Sequence, residues 1–245
     1  MVPTSLPGAR LLSDLVGNYG LYFLVGQFPH GPLGGLALTV LLGAGAVLLA
    51  LPLGVVLGLA RLSHRRLVKW PVTSIVYVVR GTPLLMVVFW AYFFLPALTG
   101  QKTGQFTTML AALVLFNGAY LAEVVRAGVQ GIARGQTEAA RALGLSHVET
   151  LRWIVLPQAL RNMLPSLVNQ FVSTLKETSL GYIIGLQELS FIASQINTQV
   201  VIHPLAVYGT LALTFFTLCF GLSRLAYALE KRLARSQVGL QRVTP

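Results

Sequence analysis

The chain has 245 residues, of which 55% are hydrophobic and only 10% are charged, and its formal net charge is +11. Because a soluble domain carries about 25% charged residues, this composition excludes an ordinary soluble protein and predicts an all-α integral membrane protein. The positive charge does not indicate nucleic-acid binding, since the basic residues lie in short clusters beside apolar segments and no nucleic-acid-binding motif accompanies them.

The N-terminal segment, residues 1–30, is less apolar than the rest of the chain. Ser13, Asp14 and Asn18 interrupt its apolar run over 11–28. We therefore expect an interfacial helix on the periplasmic side here, with an additional membrane span as the alternative.

Five apolar segments lie beyond it, each long enough, alone or with its flanks, to cross about 30 Å of hydrocarbon. The predicted spans are 35–60, 82–98 with a backward extension through 72–81, 106–125, a segment that begins near 163–175 and continues to 185, and 205–229. They define a transmembrane domain over 31–235 and a tail over 236–245.

The orientation of these spans follows from the basic residues. Most of the 18 lysines and arginines lie in three segments, 61–69, 126–161 and 231–242. With about five spans, all three segments fall on one side of the membrane, which the positive-inside rule assigns to the cytosol. The N-terminus is then outside, and the C-terminus and the loop over 126–161 are cytosolic.

The cytosolic loop carries its own structural pattern. Residues 137–143, TEAARAL, favour a helix with Glu138 in its first turn, and Gly144 is suited to end it in a left-handed conformation. Ser146-x-x-Glu149 then forms a capping box for a second amphipathic helix. Two short helices joined by a glycine bend are suited to docking in a groove of another protein.

This loop resembles the EAA motif of permease subunits of bacterial ABC importers. Glu138-Ala139-Ala140, Gly144, Ile154 and Leu156-Pro157 stand at the spacing of that family. Three further stretches are similar to the subfamily that takes up polar amino acids (histidine, arginine, glutamine, glutamate, aspartate and opines). They are VRGTPLL over 79–85, FNGAYLAEVVRAGVQGIARGQ over 116–136 and LKETSLGYIIG over 175–185.

The resemblance implies the type I ABC importer permease fold in a multi-pass protein of the bacterial inner membrane. It implies a cytosolic ABC ATPase dimer, a second permease subunit (identical or different) and a periplasmic or lipid-anchored amino-acid-binding protein as partners, in contact with membrane lipid. ATP and Mg²⁺ would be bound by the ATPase, and no cofactor by this chain. The residues implied to couple to the ATPase are Glu138, Ala139, Ala140, Arg141, Gly144 and Leu145.

Motifs for catalysis or metal binding are not found in the sequence. No phosphate-binding loop of the type G-x-x-x-x-G-K-[ST] occurs, and GQKTG over 100–104 lacks the spacing. The four histidines, His30, His64, His147 and His203, show no metal-ligand spacing. We therefore expect a non-catalytic transport subunit without a metal site.

Polar residues within the predicted spans are candidates to bind an amino acid, because charges at membrane depth usually face an interior or a cavity. The candidates are Arg80, Thr82, Asn117, Glu123, Glu177 and Ser179. Arg80 suits a carboxylate, Glu123 or Glu177 an ammonium group, and the other three supply hydrogen bonds. The alternatives are structural: Glu123 and Arg126 have salt-bridge spacing on one helix face, and Arg80 can extend to the membrane interface.

Other functions remain open at this point. One is an ABC permease for a different small solute, and another is a membrane channel or scaffold without coupling to ATP. A membrane enzyme would need a nucleophile with a base, or a metal set, and neither is visible. Among amino acids, the stretch FWAYFFLP over 89–96 most resembles permeases for glutamate, aspartate or glutamine.

Overall fold

The structure is a computed structural model that describes residues 8–199 and 204–241, with side chains described over 17–199, over 204–228 and at 231. Its α-helices are α1 Gly8–Val25, α2 Gly35–Arg61, α3 Arg66–Gly81, α4 Leu84–Phe89, α5 Leu95–Thr99, α6 Gln105–Gln130, α7 Arg134–Ala142, α8 His147–Glu149, α9 Leu156–Glu177, α10 Leu189–Gln199 and α11 Pro204–Gln241. Trp90–Phe94 and Thr150–Val155 are π-helical, and Thr178–Ile184 is a 3₁₀ helix. Helices make up most of the described backbone, as the sequence predicts.

Three of the described helices are long and apolar enough to cross a membrane: Gly35–Arg61, Gln105–Gln130 and Pro204–Ala228. They confirm apolar helices of spanning length at the predicted spans 35–60, 106–125 and 205–229. The pair α3 and Leu84–Thr99 would be a fourth span if the two helices form one bent element. Helix α9, at the predicted fourth span, lies outside this set, so a total of about five spans stays a prediction.

The predicted second span does not extend backward as one helix. Helix α3 ends at Gly81, Thr82 has an extended backbone with φ −99° and ψ 134°, and α4 begins at Leu84. Pro83 explains the break, because its ring disfavours a helical conformation at the preceding residue and it has no N–H to donate. The expected extension through 72–81 therefore exists only as a separate helix, and its membership of the same span stays a prediction.

The ends of two other elements also differ from expectation. Helix α1 begins at Gly8, so the predicted N-terminal helix over 11–28 exists but starts earlier and ends at Val25. Residues 1–7 lie outside the described part. The helix at the fourth predicted span, 163–175, starts well before that span, because the helical segment that begins at His147 continues through Thr150–Val155 into α9. Its predicted continuation to about 185 is the 3₁₀ helix Thr178–Ile184.

The first of two compact units comprises the described parts of Met1–Ala46, Leu84–Leu113 and Ser173–Gly221. Its core consists of Phe23, Leu189, Ile192, Ala193, Ile196 and Val207. Thr39 links α2 to α10, because the Leu189 amide donates to Thr39 Oγ1 at 3.1 Å. Gly35 has φ +59°, and a Cβ there would lie 2.2 Å from the Phe23 carbonyl oxygen. Only glycine fits this entry to α2.

The second unit comprises the described parts of Val47–Pro83, Val114–Val172 and Leu222–Pro245. Its buried apolar residues include Val76, Ala119, Ala122, Val125, Ala159 and Met163. Helices α2 and α6 approach closely here: a Cβ on Gly54 would lie 2.5 Å from Leu121 Cβ, and one on Gly58 would lie 2.8 Å from Val125 Cβ. The two glycines therefore allow a contact that a larger residue would prevent.

Candidate functional site

The coupling segment, residues 134–157, begins with helix α7 and a left-handed glycine turn. Gly144 has φ +87°, and a Cβ there would meet nothing within 4 Å, so the backbone conformation and not lack of space requires glycine. The Leu145 amide donates to the Ala140 carbonyl at 3.2 Å, and the Gly144 amide donates to the Arg141 carbonyl at 3.0 Å. These bonds satisfy carbonyls at the helix end. The predicted glycine bend is confirmed.

The predicted coupling residues lie mostly on the surface of α7. Glu138, Ala139, Arg141 and Gly144 are exposed, Leu145 is half-buried, and Ala140 is buried with 4% exposure. Ala140 therefore anchors the helix to its own unit and leaves the other side free to contact another protein. Glu138 is in the second turn rather than the first, because α7 starts at Arg134. The expectation that Glu138 meets the positive end of the helix is wrong.

The second half of the coupling segment starts with the predicted capping box. The Glu149 amide donates to Ser146 Oγ at 3.3 Å, and the Ser146 amide donates to Glu149 Oε2 at 2.9 Å. The Ser146 hydroxyl also donates to Oε2 at 2.7 Å, and these hydrogen bonds lower the pKa of the Glu149 carboxyl below its ordinary 4.5. From His147 the helical segment runs without interruption to Glu177. The box thus caps the start of this helical segment.

Apolar side chains are exposed along the coupling segment. Leu143 is 83% exposed, Val148 is 70% exposed and Trp153 is 62% exposed. They lie on the same short stretch of sequence as the exposed charges of α7. This composition is typical of a protein-docking surface.

A second feature, which we call the arginine cluster, comprises Arg61, Arg80, Glu123 and Arg126 of the second unit. Arg61 Nη1, at the end of α2, donates to Glu123 Oε2 at 2.5 Å. Arg126 Nε donates to Glu123 Oε1 at 3.1 Å, and Arg126 Nη2 donates to the same oxygen. Arg80 Nη1, in the last turn of α3, lies 3.5 Å from Oε2. One carboxylate thus joins the ends of two helices to α6.

The arginines of this cluster are also held against aromatic rings. The Arg61 guanidinium carbon lies 5.4 Å from the Tyr77 ring centroid, and that of Arg80 lies 5.1 Å from the Tyr120 centroid. Such contacts orient a cation and stabilise it. The Nε–H groups of Arg61 and Arg80 are nevertheless buried and have no hydrogen-bond acceptor among the described atoms.

The structure brings together two of the predicted substrate ligands, Arg80 and Glu123, but as an ion pair within this cluster. Two predicted hydroxyl donors are occupied locally instead. Thr82 Oγ1 donates to the Val78 carbonyl at 2.8 Å, and Ser179 Oγ donates to the Lys176 carbonyl at 2.7 Å. Each hydroxyl therefore has to rotate away from its own helix before it can donate to a ligand.

The last two predicted ligands belong to different units. Asn117, in the second unit, is fully buried, and its Oδ1 accepts a hydrogen bond of 2.6 Å from Gln170 Nε2. Glu177, in the first unit, is the half-buried last residue of α9. The burial of Asn117 fits a polar interior position, which is what its place inside an apolar segment indicated.

Three buried or partly buried polar residues were not singled out from the sequence. Arg61 counted only as part of a basic segment, yet its side chain is 4% exposed. Gln170 bonds to Asn117 across 53 positions of sequence. Glu188 is fully buried, and its carboxylate accepts hydrogen bonds from the Ser190 and Phe191 amides at 2.9 and 3.0 Å at the start of α10. Only Glu188 carried a local signal, an acid just before an apolar helix.

Neither a metal centre nor a catalytic group is evident in the described part of the chain. No group of three or more histidine, cysteine, aspartate or glutamate residues there could hold a metal ion. A cavity of about 270 Å³ in the first unit is lined mainly by alanine, leucine, proline, threonine and glutamine, and it includes none of the predicted ligands.

Comparison with known protein families gives one match over most of the chain. The family described as "Binding-protein-dependent transport system inner membrane component" matches residues 50–235. This range includes both the coupling segment and the arginine cluster.

Individual relatives are similar over most of the chain. Over 87% of this chain, it is 36% identical to the inner membrane amino-acid ABC transporter permease protein YhdY of Escherichia coli, of which it spans 59%. It is also 36% identical to the probable glutamine ABC transporter permease protein GlnP of Bacillus subtilis, over 81% of this chain and 91% of that protein. A solved structure, an amino acid ABC transporter with histidines, superposes with a TM-score of 0.80 at 30% identity, covering 94% of this chain and 100% of that one.

Proposed function

Since this chain belongs to the family of binding-protein-dependent transport system inner membrane components, we propose that it is the permease subunit of an ATP-driven importer of polar amino acids. The observation that carries the proposal is its 36% identity to two amino-acid permeases of this kind, one of them named for glutamine. The exposed coupling segment supports it, because a channel or scaffold without energy coupling has no need of such a surface.

The proposed arrangement places the coupling segment and both basic flanks in the cytosol and the N-terminus outside. It is supported by the distribution of lysine and arginine, and it includes the five spans predicted from the sequence. Cytosolic ATPase subunits would bind ATP and Mg²⁺, a second permease subunit would complete the path, and an external binding protein would deliver the amino acid. This chain then supplies the passage and no catalytic group.

The coupling mechanism that we propose follows from the geometry of residues 134–157. The exposed side of α7, with Glu138 and Arg141, and the apolar side chains beyond it would sit in a cleft of the ATPase. Closure of the ATPase on ATP would then push α7 against a helical segment that runs from His147 to Glu177 without a break. Because the left-handed turn at Gly144 fixes the angle between the two helices, the push is transmitted rather than absorbed.

For the substrate, the ligands that we propose are Thr82 and Asn117 in the second unit and Glu177 and Ser179 in the first, each toward the carboxylate or the ammonium group of an amino acid. Arg80 and Glu123 remain predicted ligands as well, but both would first have to leave their ion pair. Breaking a half-buried ion pair costs free energy, so their contact with substrate would depend on a change of conformation.

ATP-driven uptake of labelled amino acids into vesicles tests the proposal. The complex with its ATPase and binding protein should take up a polar amino acid, glutamine first. Replacing Gly144 with Leu should lower uptake roughly tenfold or more, because a side chain at positive φ costs about 1–2 kcal/mol and distorts the turn.

The matched controls are Gly144→Ala and Gly135→Ala. A Cβ at either position meets open space, but only Gly144 has a positive φ. Gly135→Ala should therefore keep normal uptake while Gly144→Ala loses part of it. If Gly144→Leu transports like the native chain, the coupling role of this segment is wrong. If no amino acid is taken up by the native complex, the substrate class is wrong.

A further inference from the structure

The arginine cluster holds more positive charge than its one acid can balance. Three arginines surround Glu123, and within the described part of the chain no other carboxylate forms an ion pair with them. Two positive charges are therefore in excess. The Arg61 side chain is only 4% exposed, so solvent screening of its charge is weak. Since Arg61 is paired with Glu123, the excess charge needs a counter-anion or a polar surrounding at the more exposed Arg80 and Arg126.

The hydrogen-bonding groups of the cluster point to the same need. Arg126 uses Nε and Nη2 on Glu123 and Nη1 on Gln130. The buried Nε–H groups of Arg61 and Arg80, by contrast, have no acceptor among the described atoms. Buried donors are almost always satisfied in folded proteins. Both atoms have almost no accessible surface, so an external anion can reach the cluster only through the exposed parts of Arg80 and Arg126, whose side chains are 31% and 29% exposed.

Helix α3, which carries Arg80, has the composition of a helix at a membrane surface. Its 16 residues are too few to cross the hydrocarbon on their own. One side packs into the unit through Val76, while large apolar side chains on the other are exposed. These exposed residues are Leu67, Trp70, Ile75, Tyr77 and Val78. Apolar and aromatic groups exposed beside basic ones are typical of an interfacial helix.

The charges on α3 favour an anionic surface in particular. Arg65, Arg66 and Lys69 are exposed at its N-terminal end, and the first turn has no acidic residue. Positive side chains are unfavourable at a helix N-terminus, because the helix dipole is positive there. A layer of phosphate groups beneath the helix would offset that cost and attract all of these basic groups.

We propose that Arg80 binds the phosphate of an anionic phospholipid of the cytosolic leaflet, while the apolar face of α3 contacts its acyl chains. This inference rests on the cytosolic orientation given under the proposed function. Arginine suits the role because its planar fork binds two phosphate oxygens at once. The bound lipid would balance the cluster at the junction of α2, α3 and α6, directly before the coupling segment.

Lipid titration followed by native mass spectrometry tests the inference on the delipidated complex with its ATPase. The probe is phosphatidylglycerol, with phosphatidylcholine as the zwitterionic reference. We expect the native complex to retain phosphatidylglycerol preferentially and Arg80→Gln to bind it roughly tenfold more weakly, as for the loss of one charge-assisted contact. Arg80→Lys keeps the charge without the fork and should be intermediate.

Arg66→Gln is the matched control, because it removes the same charge from the same helix outside the cluster. Equal losses of phosphatidylglycerol binding in Arg66→Gln and Arg80→Gln would mean that α3 is attracted to any anionic surface, which would overturn the site. The absence of a preference for phosphatidylglycerol over phosphatidylcholine in the native complex would overturn it as well. If Arg80→Gln does not accumulate, Arg80→Lys is compared with the native chain. Weaker phosphatidylglycerol binding by Arg80→Lys supports the site, and equal binding overturns it.

Soluble anions form a separate arm of the same experiment. Inorganic phosphate or glutamate that displaces phosphatidylglycerol from the native complex would assign the cluster to a soluble anion and overturn the lipid site. Uptake into vesicles is measured independently, so that a failure of amino-acid transport and a failure of lipid binding are distinguishable.

Discussion

The coupling segment and the arginine cluster are both polar parts of an apolar chain, yet they are held together in opposite ways. In the coupling segment the decisive contacts join near neighbours, such as Ser146 and Glu149, three positions apart. In the cluster, Arg61 and Glu123 are 62 positions apart. A segment stabilised locally can be exposed and pressed against a partner without disturbing the core. A cluster stabilised by distant contacts instead fixes how helices meet, so a change there affects the whole unit.

The largest effect is expected from Glu123→Ala, which leaves three arginines without their shared carboxylate. Removing one partner of a buried ion pair costs about 3–5 kcal/mol, and the partial exposure of Glu123 places the expected loss near the lower end. The thermal unfolding midpoint of the detergent-solubilised complex measures it. Glu138→Ala, at an exposed acid of the coupling segment, should change stability by about 0.5 kcal/mol or less. Equal midpoints for the two variants would contradict the contrast between the regions.

A smaller effect is expected where α2 packs on α6 beside the cluster. Gly54→Ala places a Cβ 2.5 Å from Leu121 Cβ, and overpacking of this kind costs about 1–3 kcal/mol. Gly45→Ala lies on the same helix, but its Cβ meets only Leu110 Cδ1 at 3.7 Å, an ordinary contact. Alanine at that position should be neutral or slightly stabilising, because it favours a helix. Unfolding midpoints that fall equally in both variants would show that the close approach is not required.

The smallest effect is expected at the capping box. Ser146→Ala removes a helix cap worth about 1 kcal/mol, which amide hydrogen exchange over residues 146–151 of the intact complex would detect as faster local opening. Exchange elsewhere should be unchanged, because the box is local.

The same box should depend on pH. The pKa of Glu149 is lowered in the folded state from its ordinary 4.5, so its stabilising contribution is present above pH 4.5 and is lost as the pH falls through the lowered value. Protection of these amides should decrease in that range in the native chain but change less in Ser146→Ala. The same pH dependence in both would mean that Glu149 acts through some other group.

Features that rest on short-range chemistry could be predicted from the sequence. Composition alone indicates helices in a membrane, and three apolar runs coincide with helices of spanning length. The turn at Gly144 and the capping box were predictable because glycine tolerates positive φ and a serine followed by glutamate three residues later satisfies free amides within one turn. The resemblance over the coupling segment indicated the family that the comparisons then showed.

Other features were decided only by the tertiary structure. The charge of Arg61 is visible in the sequence, but its burial beside Glu123 depends on how α2 packs against α6. The same holds for Gln170 beside Asn117. Pro83 is sufficient to separate α3 from α4, but the extended backbone at Thr82 is visible only in the structure. The physical reason is common to these cases: hydropathy and helix capping act over a few residues, whereas burial and charge pairing depend on which distant helices meet.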